Sequence, residues 1–286
     1  MPHIVQLLAP AKINLNLFIT GVRQDGFHEL DTLFLKLSAP SDTLHIEPGP
    51  AKSGLDLHCP VPGLAVEQNI IYKAWTLFSQ ATGHSPNWRV RVDKRIPQGM
   101  GLGGGSADAG IFLRHLNAWA GKNALSHAEL LGLAARLGAD VPFFVLDAKA
   151  ARGRGIGERL TPCSPDLRGL HLVLACPQVH VDTAWAYAEW DRRHPNLPVL
   201  TSGELGTKSA APETGLVLHN DFEEVVFAAF PVLREIKECL LRAGAAGAAM
   251  TGSGAGIFGL FRSLPSKKRA EEKLRKQNIP FYAQSF

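Results

Sequence analysis

Lys12, Asn14, a run of glycines between 99 and 105, and Asp140 are the residues of this 286-residue chain whose types and spacing invite chemistry. The glycines lie in Pro97-Gln98-Gly99-Met100-Gly101-Leu102-Gly103-Gly104-Gly105-Ser106-Ala107. Without Cβ atoms, successive backbone N–H groups can converge on one point. The unpaired N–H groups and positive dipole end of a following helix favour a phosphate there. A merely flexible loop is the alternative. Against it, residues 89–96 alternate like a strand, and apolar positions 109, 112, 113 and 116 recur at helical spacing.

Neither familiar phosphate loop fits. Gly99-x-Gly101-x-x-Gly104 satisfies the dinucleotide pattern, but Glu129, the acid found at about the right distance, falls inside another helical pattern and has no strand to sit on. No lysine precedes Ser106, so the ATPase P-loop fails as well. Another part of the chain must supply the cation.

Two stretches offer polar groups. In Pro10-Ala-Lys12-Ile-Asn14-Leu-Asn16-Leu the residues 11, 13, 15 and 17 form one face of a strand, and Lys12, Asn14 and Asn16 the other. That second face is either solvent-exposed or in use; asparagine is a poor strand former and occurs here twice. Asp140, in Gly138-Ala-Asp-Val-Pro142-Phe, is either a turn residue ahead of a proline or a carboxylate held at a stiff helix-to-strand corner, where a base would serve.

The elements that must position these groups are legible in outline. Strands are expected over 7–20, 27–37, 42–47, 55–58 and 89–96, with a strand–turn region over 150–158. Asn69 is placed to cap a helix over 70–80, and Ser126-His-Ala-Glu129 is a capping box for a helix ending at Gly138. The apolar pattern lapses around 161–165, which gives two lobes, 1–162 and 163–286. The second holds an apolar strand over 170–175, a helix from about Val181, a polar loop over 200–215 and helices over 221–227 and 231–243. A second glycine-rich turn at 251–256 leads into a strand, and a helix over 265–277 and a strand over 279–283 close the chain.

Composition narrows the classes. With 45% hydrophobic residues and no repeats the chain can bury one large core or two moderate ones. A net charge of +4 suits an anionic small molecule. The densest basic run, 267–276, is interleaved with acids and reads as a solvated helix face, so no nucleic-acid partner is expected. Cys59, Cys163, Cys176 and Cys239 show no pairing or zinc spacing, the N-terminus lacks a secretory pattern, and no segment reads as a membrane span. A cytoplasmic protein is expected.

Pro10-Ala-Lys-Ile-Asn-Leu, Pro97-x-Gly-x-Gly-Leu-Gly-Gly-Gly-Ser-Ala and Thr251-Gly-Ser-Gly-Ala together make the sequence resemble the GHMP kinases, which phosphorylate small alcohols with ATP. The Lys-Ile-Asn-Leu start, Asp25-Gly-Phe-His28 and Gly138-Ala-Asp-Val-Pro142 make it look like the branch acting on a cytidine-diphosphate-linked methylerythritol in the non-mevalonate isoprenoid pathway. The likeness covers nearly the whole chain.

The resemblance implies an α+β fold with a ribosomal-protein-like N-terminal lobe carrying ATP and the catalytic residues. A ferredoxin-like C-terminal lobe would bind substrate, and ATP with Mg²⁺ would serve as co-substrate and cofactor. It implies Asp140 as the base, Lys12 on the transferred phosphoryl group and Asn14 at the reacting end. Phe27, His28, Thr183 and Tyr187 fall at the cytidine, with Phe27 standing where the family commonly has tyrosine. Asn69 and Lys94 fall near the adenine, and residues 97–107 on the phosphates. Asp108, where relatives often have asparagine, is expected to turn away from the phosphates as a helix-start residue.

Overall fold

A computed structural model describes residues 4–60, 63–201 and 216–286. The polar loop expected over 200–215 lies, from 202 onward, outside the described residues. In chain order the elements are β1 Val5–Arg23, β2 His28–Pro48, β3 Leu55–His58, α1 Ile70–Thr82, β4 Trp88–Asp93, α2 Gly104–Trp119, α3 His127–Leu137, α4 Val141–Val145, β5 Ala150–Gly155 and β6 Arg159–Cys163. There follow β7 His171–Ala175, α5 Thr183–Arg193, the short strands β8 Val199–Leu200 and β9 His219–Asn220, α6 Glu223–Ala229, α7 Pro231–Arg242, β10 Gly247–Met250, β11 Ile257–Phe261, α8 Leu264–Lys276 and β12 Phe281–Ser285. The fold is α+β.

The chain forms two compact units. One comprises the residues up to Ala11 with Pro40–Ile96 and Gly103–Ala148; the other comprises Lys12–Ala39, Pro97–Leu102 and Lys149–Phe286. In the first, β4 pairs antiparallel with the end of β2 (Thr43 opposite Asp93, Glu47 opposite Arg89) and parallel with β3. Four helices pack together beside these strands, with α2 touching α1, α3 and α4. A Cβ on Gly110 would stand 2.6 Å from that of Phe144, so glycine there is what lets α2 lie against α4. The helix ends follow from their caps. Asn69 Oδ1 accepts from the Ile71 nitrogen, and Ser126 and Glu129 close the expected capping box ahead of α3.

The second unit contains a four-stranded antiparallel sheet in the order β10-β11-β7-β12, with α7 and α8 packed on it. The connectivity, strand–helix–strand–strand–helix–strand with this order, is the ferredoxin-like arrangement. Its inner strands β7 and β11 are apolar because both lie in the core; Leu172 to Leu174 and Ile257 to Phe261 are almost wholly buried. In the same unit β5 pairs with the first half of β2 and with β6. Along one edge of β1 the backbone meets Leu102 O, the Thr251 hydroxyl, β9, the Asp221 carboxylate and β8 in turn.

Two local expectations differ from the structure. The two strands read over 27–37 and 42–47 are one continuous strand, β2, which runs through Pro40. Residues 141–145, expected to begin a strand after a corner, form a short helix: Pro142 is compatible with a first helical turn, and complete burial of all five residues removes the periodicity that would reveal it.

Candidate active site

In the second unit, Lys12, Asn14 and Asn16 project from β1 as a buried polar row, with 3%, 2% and 5% of their surfaces exposed. The Lys12 ammonium donates to Asn14 Oδ1 at 2.8 Å and lies 5.2 Å from the Phe34 ring centroid. Asn14 Nδ2 donates to Thr32 Oγ1 at 2.7 Å, and that hydroxyl donates to the Asn16 carbonyl at 2.6 Å. The Asn14 main-chain nitrogen donates to Thr251 Oγ1. The lysine head is thus set by an amide that is itself fixed from both ends, an arrangement that holds one charge in one place.

The first part of the glycine loop belongs to the same unit. Lys12 N donates to Leu102 O, Ala255 N to Gly99 O and Gly256 N to Met100 O, so residues 99–102 are laced to β1 and to the turn following β10. Gly99 and Gly101 have φ near +70°, where a side chain is strained. A Cβ on Gly101 would stand 2.2 Å from the Thr251 carbonyl oxygen. Asn220 fixes that turn, donating from Nδ2 to the carbonyls of Met250 and Gly252.

In the same unit His28 is 7% exposed, and its Nε2 faces Asp191 Oδ1 at 2.6 Å. Its ring lies 4.6 Å from that of Tyr187, tilted by 31°, and Tyr187 in turn meets Phe222 edge-on at 4.8 Å. Phe27 is 58% exposed. Asp182 caps α5 by accepting from Trp185 N, which sets the helix carrying Thr183 and Tyr187; the Thr183 hydroxyl pairs with that of Ser253 at 2.7 Å.

In the first unit α2 opens at Gly104 behind Gly103, whose φ is +68°, and no side chain caps its first N–H groups. That is the exposed amide end the sequence led one to expect. Ser106 and Ala107 lie in the first turn. Asp108 turns to Lys94, whose ammonium is 2.7 Å from its Oδ2 and also bonds to Asp42. Asp42, fully buried, additionally accepts from the main-chain nitrogens of Arg95 and Ile96.

Burial pushes the Asp108 carboxyl up to about 7. Lys94 pulls in the other direction and Asp42 reinforces the rise. For Lys94 burial opposes the charge, but the two carboxylates outweigh it and its pKa is raised. Lys94 is therefore held by two acids, and Asn69 uses its oxygen as the α1 cap. Asp140, half-buried, stands at the start of α4 and makes no capping bond. Among the described residues no three His, Cys, Asp or Glu side chains form a metal-binding group. The four cysteines are unbridged, and no described helix is long and apolar enough to cross a membrane.

Sequence reasoning missed Asp42, Thr32 and Asp191. Thr32 lies close to the quoted Phe27-His28 segment and Thr251 lies in a quoted motif. Asp42 carries no signal, because its partners are 52 to 54 positions away.

Comparison with known proteins gives a consistent result. Residues 69–148 match the GHMP kinases N-terminal domain and residues 208–279 the GHMP kinases C-terminal domain. The chain is 44% identical to a 4-diphosphocytidyl-2-C-methyl-D-erythritol kinase of Nitratidesulfovibrio vulgaris, over 99% of both proteins. It is 44% identical to the kinase of the same name from Solidesulfovibrio magneticus, over 90% of this chain and 88% of that one. A crystal structure of 4-(cytidine 5'-diphospho)-2C-methyl-D-erythritol kinase superposes with a TM-score of 0.77 at 35% identity, covering 98% of each chain. A homoserine kinase of Cytophaga hutchinsonii, at 18% identity and a TM-score of 0.71, covering 99% of this chain and 94% of that one, shares the fold.

Proposed function

The chain belongs to the 4-diphosphocytidyl-2-C-methyl-D-erythritol kinases of the GHMP superfamily, and from this we propose that it transfers the γ-phosphoryl group of ATP to the 2-hydroxyl of 4-diphosphocytidyl-2-C-methyl-D-erythritol in the cytoplasm. The observation that carries the reading is 44% identity sustained over 99% of both chains; Lys12 and Asn14, buried and mutually bonded, are consistent with it.

Phosphoryl transfer needs alignment and charge compensation more than covalent help. Asp140 accepts the proton of the 2-hydroxyl as its oxygen bonds to the γ-phosphorus and ADP departs. Lys12, placed by Asn14, offsets charge on the equatorial phosphoryl oxygens, and Asn14 orients the reacting end. Residues 97–107 are assigned to the nucleotide phosphates by the family likeness; glycine at 99 and 101 is required by the packing of the loop itself, since Cβ atoms there would run into His180 and Thr251. Mg²⁺ bound with ATP would neutralise the phosphates, and it needs only one or two protein carboxylates beside phosphate and water. No protein ligand is assigned to it, because the nearby Asp108 carboxyl is buried and turned to Lys94.

For the cytidine end, His28 donates its Nε2 hydrogen to Asp191, which leaves Nδ1 as an acceptor for the 4-amino group of cytosine. Tyr187 and Phe27 offer ring faces and Thr183 a hydroxyl. Asn69 and Lys94 serve the adenine side. The test is ADP release with the cytidyl substrate, its uridine counterpart, mevalonate and homoserine. Turnover confined to the cytidyl compound is expected, and equal or greater turnover of mevalonate or homoserine would overturn the assignment.

A further inference from the structure

Asn16 is the third member of the β1 polar row, yet its carboxamide is treated differently from that of Asn14. Both are buried, at 5% and 2% exposure. The Asn14 amide is bonded at both ends, by the Lys12 ammonium and to the Thr32 hydroxyl. Asn16 Oδ1 is shut off from solvent and accepts no hydrogen bond. A buried amide oxygen without a donor is costly, so a site that keeps one implies a donor arriving from outside.

The neighbours that could have served it are committed elsewhere. Thr32 Oγ1 donates to the Asn16 main-chain carbonyl, not to its side chain. His219, opposite Asn16 in the β1–β9 register, stacks on Phe18 at 4.6 Å and turns Nε2 to Asp221 at 2.6 Å. Asn220 spends its carboxamide on Met250, Gly252 and the Phe222 nitrogen. Alternate residues of a strand share a face at a spacing of about 6.6 Å, so Asn16 Oδ1 lies on the same side as Lys12 and Asn14, one step beyond Asn14.

We propose that Asn16 contacts the substrate, its carboxamide oxygen accepting a hydrogen bond from a substrate hydroxyl other than the one phosphorylated. The inference rests on the reaction proposed above. The polyol and the ribose both carry hydroxyls of this kind; phosphate groups, lacking donors at neutral pH, are excluded as partners.

The experiment compares wild type with Asn16→Ala and Asn16→Ser, using the cytidyl substrate and two analogues, one lacking a non-reacting polyol hydroxyl and one with 2′-deoxyribose. Thermal unfolding of each variant is recorded alongside. Asn16→Ala is expected to raise KM for the cytidyl substrate roughly tenfold, the loss of about one hydrogen bond, with KM for ATP unchanged. Asn16→Ser, which retains an oxygen, is expected to recover part of it.

The analogue lacking the contacted hydroxyl is expected to show the same KM with wild type and Asn16→Ala, and the analogue that shows this identifies polyol or ribose as the partner. Asn16→Ala that lowers the melting temperature while leaving that KM alone would overturn the proposal, as would equal penalties on all three compounds. Absence of turnover of the cytidyl substrate by wild type would overturn the reaction and this inference together; turnover without coupling to Asn16 would remove the inference alone.

Discussion

The Thr251 hydroxyl accepts a hydrogen bond from the main-chain nitrogen of Asn14 at 2.9 Å, joining residues 237 positions apart. Its own proton has two acceptors within reach, Gly101 O at 3.3 Å and Asn14 Oδ1 at 3.4 Å. One buried hydroxyl therefore ties the strand carrying Lys12 to the glycine loop. Thr251→Val keeps the shape and removes both bonds. It is expected to cost about 1–3 kcal/mol in urea unfolding, the range for a buried group left unpaired, and to lower kcat by roughly tenfold. Thr251→Ser should restore most of both, and a valine variant with wild-type kcat would show that this tether does not matter to Asn14.

Asp140→Asn removes the proposed base while keeping nearly the same volume. We expect kcat to fall by roughly 10²–10⁴ with KM for ATP nearly unchanged, as for loss of a general base. Steady-state ADP release checks this, and full activity in the variant would take the role away from Asp140.

Asp191 Oδ1 stands 2.6 Å from Nε2 of His28, the residue proposed to read the base. In Asp191→Ala the imidazole loses the partner that fixes its tautomer, and KM for the cytidyl substrate is expected to rise about tenfold, with little change for ATP. Discrimination between the cytidine and uridine compounds should narrow in the same assay. A variant that discriminates as sharply as wild type would mean that Nδ1 of His28 does not read the base.

The Asp42–Lys94–Asp108 cluster gives the stability of the protein a pH dependence with a definite sign. Asp108 is raised from 3.8 to about 7 by burial, so between those values the folded chain holds a proton that the unfolded chain has released. Its contribution is complete below about pH 4, declines as pH rises towards 7 and is flat above. Asp108→Asn, which still offers Lys94 an oxygen, should remove a decline of about 4 kcal/mol over that window, at about 1.4 kcal/mol per pKa unit. Denaturant unfolding of both proteins from pH 4 to 8 measures it. Parallel profiles would place the titrating proton elsewhere.

Much of this was legible in the sequence where the determinant is local. The capping box at Ser126, the cap at Asn69 and the alternation along Lys12, Asn14 and Asn16 each depend on residues within a few positions of one another. The positive φ angles of Gly99, Gly101 and Gly103 are likewise a local property of the glycine run. What escaped depends on distant partners or on uniform burial. Asp42 is an ordinary polar residue until Lys94, Arg95 and Ile96 arrive beside it. The short helix at Val141–Val145 is apolar on every side, so no period distinguishes it from a strand. Residues 38–41 fall between the two strands expected over 27–37 and 42–47, but β2 continues through them, with Ser38 bonded through both its nitrogen and its hydroxyl to Gln284.

The lacing of residues 99–102 to the turn after β10 bears on how the protein comes to exist on the ribosome. Gly99 and Met100 receive their hydrogen bonds from Ala255 and Gly256, and the Cα of Gly101 lies close against Gly252. A nascent chain halted before residue 250 would have synthesised its entire glycine motif and yet lack the surface that shapes the first half of it. With this loop as the proposed phosphate site, nucleotide affinity should emerge late in translation, only once the last hairpin has cleared the exit tunnel.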